Sequence, residues 1–244
     1  MKSPFIQPNS LSPAEVYTHL GGVLYRHAPE FADRFCILVA QVPVVMSDVE
    51  AYIKKDPAAK SRQMVFHEYR AFKAVLYYRV AHALLNSCYA NEEEKAALEQ
   101  AARRISEAAK VMSGVEIHPN AKIGKSFVID HGYGVVIGET TEIGHNVTIL
   151  NGVVLGARKA AGNLEGKRHP TIGNHVEIGG DAKVFGPISI GDNTCIGAKA
   201  IVTTDLPPNS KVVVKSNVQI TKLASAKNQI ETIISSLRKH TAML

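Results

Sequence analysis

From residue 117 to about residue 206 an aliphatic residue returns at every sixth position, with two interruptions. Plain copies of the phrase are Ile123-Gly124-Lys125-Ser126-Phe127-Val128, Ile143-Gly144-His145-Asn146-Val147-Thr148 and Ile178-Gly179-Gly180-Asp181-Ala182-Lys183. The openers are Ile117, Ile123 and Ile129, then Ile137, Ile143, Ile149 and Leu155, then Ile172, Ile178, Val184, Ile190, Ile196 and Val202, thirteen hexads in all. Fifth positions are small or apolar: Ala121, Phe127, Val147, Val153, Val176, Ala182, Ile188 and Ala200. A helix needs apolar spacings of three and four, so a period of six argues for a parallel β-helix whose short strands stack coil on coil. The openers then form columns inside a triangular prism, three hexads to a coil. The fifth positions also turn inward, and the Gly-rich pairs are expected to turn the corners.

The first ~110 residues carry a different pattern and read as helical. Phe72, Leu76, Val80 and Leu84 lie at spacing four on one face, and residues 92–111 are rich in Ala, Glu, Lys and Arg. Ser12-Pro13 resembles a helix entry with proline in its first turn. The hexads begin just after Ser113-Gly114, and Pro207-Pro208-Asn209-Ser210 closes them. The chain is therefore α+β and multidomain. A helical region over residues 1–112 precedes a parallel β-helix over residues 113–210, and residues 211–244 form a tail with a strand at 211–214 and a helix at about 221–239.

The two interruptions are where function is expected. The first follows Ile129-Asp130-His131-Gly132-Tyr133-Gly134, where Val135 and Val136 are two residues too many. The second is a loop at 156–171 that returns through Lys167-Arg168-His169-Pro170. Long excursions from a compact repeat are usually functional or disordered. A histidine flanks each break. His131 alone reads as the cap of a bulge and His169 as a solvated loop residue, but their joint placement favours chemistry.

Composition narrows the class. Three dispersed cysteines, Cys36, Cys88 and Cys195, suit neither a disulfide framework nor a zinc cluster, and no His, Cys or carboxylate spacing resembles a ligand set, so no metal is expected. The first thirty residues lack the apolar core of a secretory signal. The most apolar stretch, residues 35–46, contains Gln41 and Pro43 and is short of the ~18 residues of a membrane span, so a cytoplasmic location is expected. A net charge of +6 comes without a basic run or interleaved aromatics, which leaves phosphates on a small ligand, or plain solubility, as its reason rather than nucleic acid.

Four blocks then carry a family resemblance: Val115-Glu116-Ile117-His118-Pro119, Asp130-His131-Gly132-Tyr133-Gly134, Val136-Ile137-Gly138-Glu139-Thr140 and Lys167-Arg168-His169-Pro170-Thr171-Ile172. Together with Lys55-Asp56-Pro57-Ala58 and Tyr78-Arg79-Val80-Ala81-His82 they resemble the left-handed β-helix acyltransferases, specifically the serine O-acetyltransferases, over residues 56–210. The hexad alone is shared by transferases with many acceptors and by some carbonic anhydrases. The Asp-His block followed by Lys-Arg-His-Pro is the specific part.

The resemblance implies acetyl transfer from acetyl-CoA to the hydroxyl of L-serine, giving O-acetylserine for cysteine biosynthesis. An alcohol is a poor nucleophile at neutral pH, and a histidine is a suitable general base. The resemblance assigns that base to His131, its orienting carboxylate to Glu116 (where the family often has Asp), and a second contact on the hydroxyl to His169. Arg168 would meet the serine carboxylate, and Asp56 and Asp130 the amino group. Asp56-Pro57 also reads as a helix start, and His67, His82 and His118 read as structural. Coenzyme A would lie in a groove between neighbouring β-helices, beside Ala157, Gly180 and Ala198. The family packs as a homotrimer or a dimer of trimers, with active sites between subunits.

Three departures bound the resemblance. The family's Gly-Gly-Thr-Gly-Lys run is replaced here by Gly156-Ala157-Arg158-Lys159-Ala160-Ala161-Gly162, and its Gly-x-Pro-Ala-Arg by Val214-Lys215-Ser216-Asn217. A C-terminal isoleucine that docks many members into O-acetylserine sulfhydrylase is Leu244 here, which counts against that complex. Two other readings remain open: the same fold acting on homoserine or another small acceptor, and a catalytically silent trimeric scaffold.

Overall fold

The structure is a computed structural model and describes residues 10–159 and 166–215. The helix expected at 221–239 and Leu244 lie outside the described residues. Up to Val214 the described residues form one compact unit. Its helices are α1 (Pro13–His27), a 3-10 segment (Pro29–Gln41), α2 (Val42–Lys55), α3 (Arg62–Glu68), α4 (Arg70–Leu85) and α5 (Glu92–Ser113).

Local chemistry sets the helix ends. Ser12 caps α1, its side chain accepting from the Glu15 N–H, with Pro13 in the first turn. Asn91 caps α5 in the same way through the Glu94 N–H, and Glu92, Glu93 and Glu94 crowd its positive end. Gly114, at φ 69°, closes α5 in the left-handed conformation that a helix C-terminus favours. Asp56 ends α2 rather than starting a helix, with extended φ/ψ that the following proline favours.

Among the described residues fourteen short strands follow, β1 (Glu116–Ile117), β2 (Lys122–Ile123), β3 (Val128–Ile129), β4 (Val136–Ile137), β5 (Glu142–Ile143), β6 (Thr148–Ile149), β7 (Val154–Gly156), β8 (Thr171–Ile172), β9 (Glu177–Ile178), β10 (Lys183–Phe185), β11 (Ser189–Ile190), β12 (Cys195–Ile196), β13 (Ile201–Val202) and β14 (Lys211–Val212). They stack in parallel as three sheets: sheet A is β1-β4-β7-β10-β13, sheet B is β2-β5-β8-β11, and sheet C is β3-β6-β9-β12-β14. Every hexad opener is the second residue of its strand and is buried, and so is every fifth position named above. The strand expected over 211–214 is shorter and joins sheet C beside β12.

Two details of the repeat differ from expectation. The glycines after the openers do not turn the corners. Left-handed φ falls instead on the fourth position of the hexad, at Ser126, Asn146, His175, Asp181, Asn193 and Lys199. The second-position glycines are required because coils approach there: a Cβ on Gly124 would lie 2.5 Å from the Gly144 carbonyl oxygen, and one on Gly179 would lie 2.5 Å from the Ala198 nitrogen. The surplus residues at the first break are also not Val135 and Val136. Val135 is buried and Val136 pairs with Glu116 across sheet A, so the extra residues belong to the turn at His131-Gly132, with φ 60° and 85°.

A β-helix begins with three unpaired strand edges, and here the helices cover them. The Tyr52 hydroxyl donates to the Ile129 carbonyl at 2.8 Å and accepts the Ile129 N–H at 3.1 Å, serving β3. Tyr78 does the same for β2, donating to the Ala121 carbonyl at 2.5 Å and accepting from Ile123 N–H at 3.2 Å. Ser106 donates to the Ile117 carbonyl on β1 at 2.7 Å. Buried Arg79 donates to the carbonyls of Ile123 and Gly124, both at 2.6 Å, and its partner Asp48 accepts the Phe127 N–H at 2.9 Å.

Helix α4 can carry these groups because it is apolar nearly all round. Ala71, Ala74, Val75 and Tyr78 join the core of the prism, while Phe72, Leu76, Val80 and Leu84 join the helical core. The run Pro29–Lys55 is long and apolar enough, by length and composition, to cross a membrane, and extends beyond the apolar stretch 35–46 on both sides. In this fold it buries Leu38, Val45, Val49 and Tyr52 in the helical core and carries Asp48 to Arg79.

Candidate functional site

The two breaks in the repeat lie at the two edges of sheet A. His131 stands in the turn from β3 to β4, where sheet C passes into sheet A. Its backbone is left-handed, and Gly132 behind it is packed so closely that a Cβ would lie 2.7 Å from that of Ala71. The ring points outward, with three-quarters of the side chain exposed, and the carboxylate within reach is that of Asp130, whose Oδ2 is 3.9 Å from Nε2. Glu116, expected to orient this ring, is engaged elsewhere. Lys110, in the last turn of α5, holds its Oε2 at 2.7 Å, and no Glu116–His131 ion pair is present within 4 Å.

Asp130 and Asp56 do come together, as the lining of a cavity of about 360 Å³ against the outer face of sheet C, with Lys55, Thr148, Glu177 and Cys195. Asp56 is held in place on both oxygens: Ala58 N–H donates to Oδ1 at 2.8 Å and the Tyr69 hydroxyl to Oδ2 at 2.8 Å. Burial, with the Asp56 carboxylate beside it, pushes the Tyr69 phenol up to about 12, so it stays a donor. Lys55 pairs with Glu177 and closes one side of the cavity.

The loop at 156–171 returns at the other edge, where sheet A passes into sheet B. Thr140, in the turn between β4 and β5, receives it. Lys167 Nζ donates to the Thr140 carbonyl at 2.7 Å, and the N–H groups of Arg168 and His169 both donate to Thr140 Oγ1 at 3.0 Å. The His169 ring lies over Gly138, where a Cβ would come within 2.1 Å of it. Its Nδ1 accepts the Thr140 N–H at 3.1 Å. Arg168 is paired with Glu139, which also accepts from Asn120 at 3.3 Å. Burial pushes Glu139 up, but His118, Asn120 and Arg168 outweigh it and keep the carboxyl below its ordinary value.

The expected coenzyme A residues divide in the same manner. Gly180 and Ala198 both follow strands of sheet C, and the Lys199 N–H donates to the Gly180 carbonyl at 2.8 Å across adjacent coils. Ala157 follows β7 on sheet A, at the far edge. Within one chain, then, Asp56, Asp130, His131, Gly180 and Ala198 share one edge, while Ala157, Arg168 and His169 share the other. Glu139, Thr140 and Tyr69 were given no role by the sequence. The first two stand in the Gly138-Glu139-Thr140 block, but their partners lie ~28 residues away across the excursion. Among the described residues no cluster of three or more His, Cys, Asp and Glu could hold a metal ion.

Burial holds the rings of His19, His27, His82, His118 and His169 below the ordinary histidine value of 6.5. Each folded pKa lies below the unfolded one, so the unfolded chain binds more protons. The stability these rings contribute is full above about 6.5 and is lost as pH falls through that value. Midpoints of urea unfolding should therefore decline from pH 7.5 to pH 5.5, with the buried Asp48 carboxyl, raised to about 6, opposing the fall in the lower half of that range; a rising series would contradict the burial of these rings.

Prism, helical cap and interrupted repeat are those of a hexapeptide-repeat protein, consistent with the left-handed β-helix. Curated relatives are specific. A serine acetyltransferase of Helicobacter pylori is 47% identical over 174 residues, 71% of this chain and 95% of that one. The serine acetyltransferase of Bacillus subtilis is 43% identical over 170 residues, 70% of this chain and 73% of that one. Among solved structures, Neisseria gonorrhoeae serine acetyltransferase in complex with serine aligns with a TM-score of 0.68 and 30% identity, covering 84% of this chain and 83% of that one. Serine acetyltransferase isoform 3 of Entamoeba histolytica, in complex with cysteine, gives 0.69 and 32%, covering 89% and 75%. No family model matches the chain. The chain belongs to the serine acetyltransferase family.

Proposed function

We propose that this protein transfers the acetyl group of acetyl-CoA to the hydroxyl of L-serine, releasing coenzyme A and O-acetylserine, in a site formed between two copies of the chain. The observation that carries this reading is the division of the candidate residues between the two edges of sheet A. Neither edge is sufficient alone: one holds the exposed His131 and the carboxylates Asp56 and Asp130, the other the cation Arg168 and His169. Set side by side, the two edges supply what an α-amino acid requires. Asp56 and Asp130 offer negative charge to the ammonium group, and Arg168, turning from Glu139, offers a paired contact to the carboxylate.

His131 takes the hydroxyl proton as serine Oγ attacks the thioester carbonyl carbon. The C–S bond then breaks, and the protonated ring returns the proton to the leaving thiolate. No acyl-enzyme intermediate is required. Glu116 orients the base once its carboxylate leaves Lys110. The pantetheine arm runs along the groove past Gly180 and Ala198 of one copy and Ala157 of the other. In this reading the protein is a homotrimer or a dimer of trimers and acts in the cytoplasm, within cysteine biosynthesis.

Release of free thiol from acetyl-CoA tests the reaction and the acceptor together. Strong release with L-serine, and background with L-homoserine and with no acceptor, is expected. Release with homoserine alone would move the substrate. Release with neither would leave another small acceptor or a silent scaffold.

A further inference from the structure

The proposed reaction leaves a question that the second edge of sheet A answers: which form the His169 ring takes. The ring is nearly enclosed, 8% exposed, and packs against Gly138. Its Nδ1 faces the Thr140 N–H at 3.1 Å and the Thr140 hydroxyl at 2.9 Å. A backbone N–H can only donate, so Nδ1 must accept and cannot carry a proton. The Thr140 oxygen already accepts the N–H groups of Arg168 and His169, which leaves its own hydrogen free to point at Nδ1 as well. In a neutral imidazole the proton is then on Nε2. A protonated ring would set N–H against N–H at Nδ1.

The surroundings act in the same direction. The ring faces Arg168, Lys167 and His118, with Glu139 as the opposing charge, and burial with the Arg168 charge holds His169 below the ordinary histidine value. Among the described residues no protein group hydrogen-bonds to Nε2, so its N–H is available to a ligand.

We propose that Thr140 is a positioning residue that fixes His169 as the neutral Nε2–H tautomer, so that this ring donates a hydrogen bond to the acceptor's hydroxyl oxygen and does not act as a second base. The inference rests on the serine acetyltransfer reading for its catalytic meaning. The state of the ring itself stands on the Thr140 geometry. A donor on the hydroxyl oxygen and a base on the hydroxyl proton are complementary, because only one group can accept that proton. The two histidines at the two breaks thus have distinct tasks, assigned by the turn each one meets.

Thr140→Val keeps the shape and the backbone N–H but removes the hydroxyl; Thr140→Ser restores the hydroxyl on a smaller side chain. Histidine-labelled enzyme, with the His169 resonance assigned by its loss in His169→Gln, should show an unprotonated Nδ1 and a protonated Nε2 at pH 7, and should titrate below the ordinary histidine value. In Thr140→Val, which removes the hydroxyl bond to Nδ1 and the acceptor of the Arg168 and His169 N–H groups, the ring should titrate at higher pH and kcat for serine should fall roughly tenfold or more, with KM for acetyl-CoA unchanged. Thr140→Ser should recover both. A wild-type ring protonated on Nδ1, or a Thr140→Val enzyme with wild-type kcat and titration, would overturn the proposal. The resonance is read without substrate. If the wild-type ring holds Nε2–H yet serine is not acetylated, the functional reading fails and the tautomer assignment stands.

Discussion

Replacing His131 with asparagine or alanine should lower kcat for acetyl transfer to serine by ~10²–10⁴-fold, the usual contribution of a positioned base. The variants should fold and bind coenzyme A normally. The side chain is exposed and packs against nothing in either core, so its removal leaves no cavity. Its backbone is the sensitive part. At φ 60° a non-glycine residue is strained, and asparagine tolerates that region better than alanine. Two variants therefore separate two effects: loss of the base alone predicts equal kcat values, whereas an added backbone effect lowers the alanine variant further. Thiol release, size-exclusion elution and calorimetric coenzyme A binding read the three quantities. Near-normal turnover in either variant would remove His131 from the role of base.

The sequence made the prism legible because its period is local and its reward is repeated. Each opener is buried in the same way, so thirteen positions report one geometry. What the period could not reveal is what happens between coils and between regions. The second-position glycines look like turn residues, but their necessity comes from a coil about twenty residues away. Glu116 stands at the family's carboxylate position, yet the end of α5 brings Lys110 to it, a contact with no signature in the spacing. Arg168, expected to meet the serine carboxylate, is paired with Glu139 across the excursion. The cap over the first coil has a trace in the sequence: Asp48 amid valines in α2, and Arg79 among the apolar residues 74–81 of α4. A polar residue inside such helices needs a partner, and here the partners are strand edges.

That cap is the site of the largest expected loss of stability. Arg79 and Asp48 are almost wholly buried, with Nη2–Oδ2 at 3.1 Å, and burial pushes the Asp48 carboxyl up to about 6 against the pull of Arg79 and the Phe127 N–H. Arg79→Met removes the main group that opposes this rise and leaves the carboxyl buried without its partner. A loss of ~3–5 kcal/mol is expected, as for other buried pairs broken on one side. The double variant Arg79→Met, Asp48→Leu makes the sharper test. In an isolated buried pair, apolar replacement of both partners is often neutral or stabilising. Here the pair also serves the carbonyls of Ile123 and Gly124 and the N–H of Phe127, which the double variant leaves bare at the open end of the prism. Each orphaned buried group costs about 1–3 kcal/mol, so the double variant should stay at least ~2 kcal/mol below the wild type. Denaturant unfolding at one fixed protein concentration measures it, since any assembly of the chain makes apparent stability depend on concentration. Recovery to wild-type stability would mean that water or a shifted backbone satisfies the strand edges, and that the ion pair does not close the β-helix.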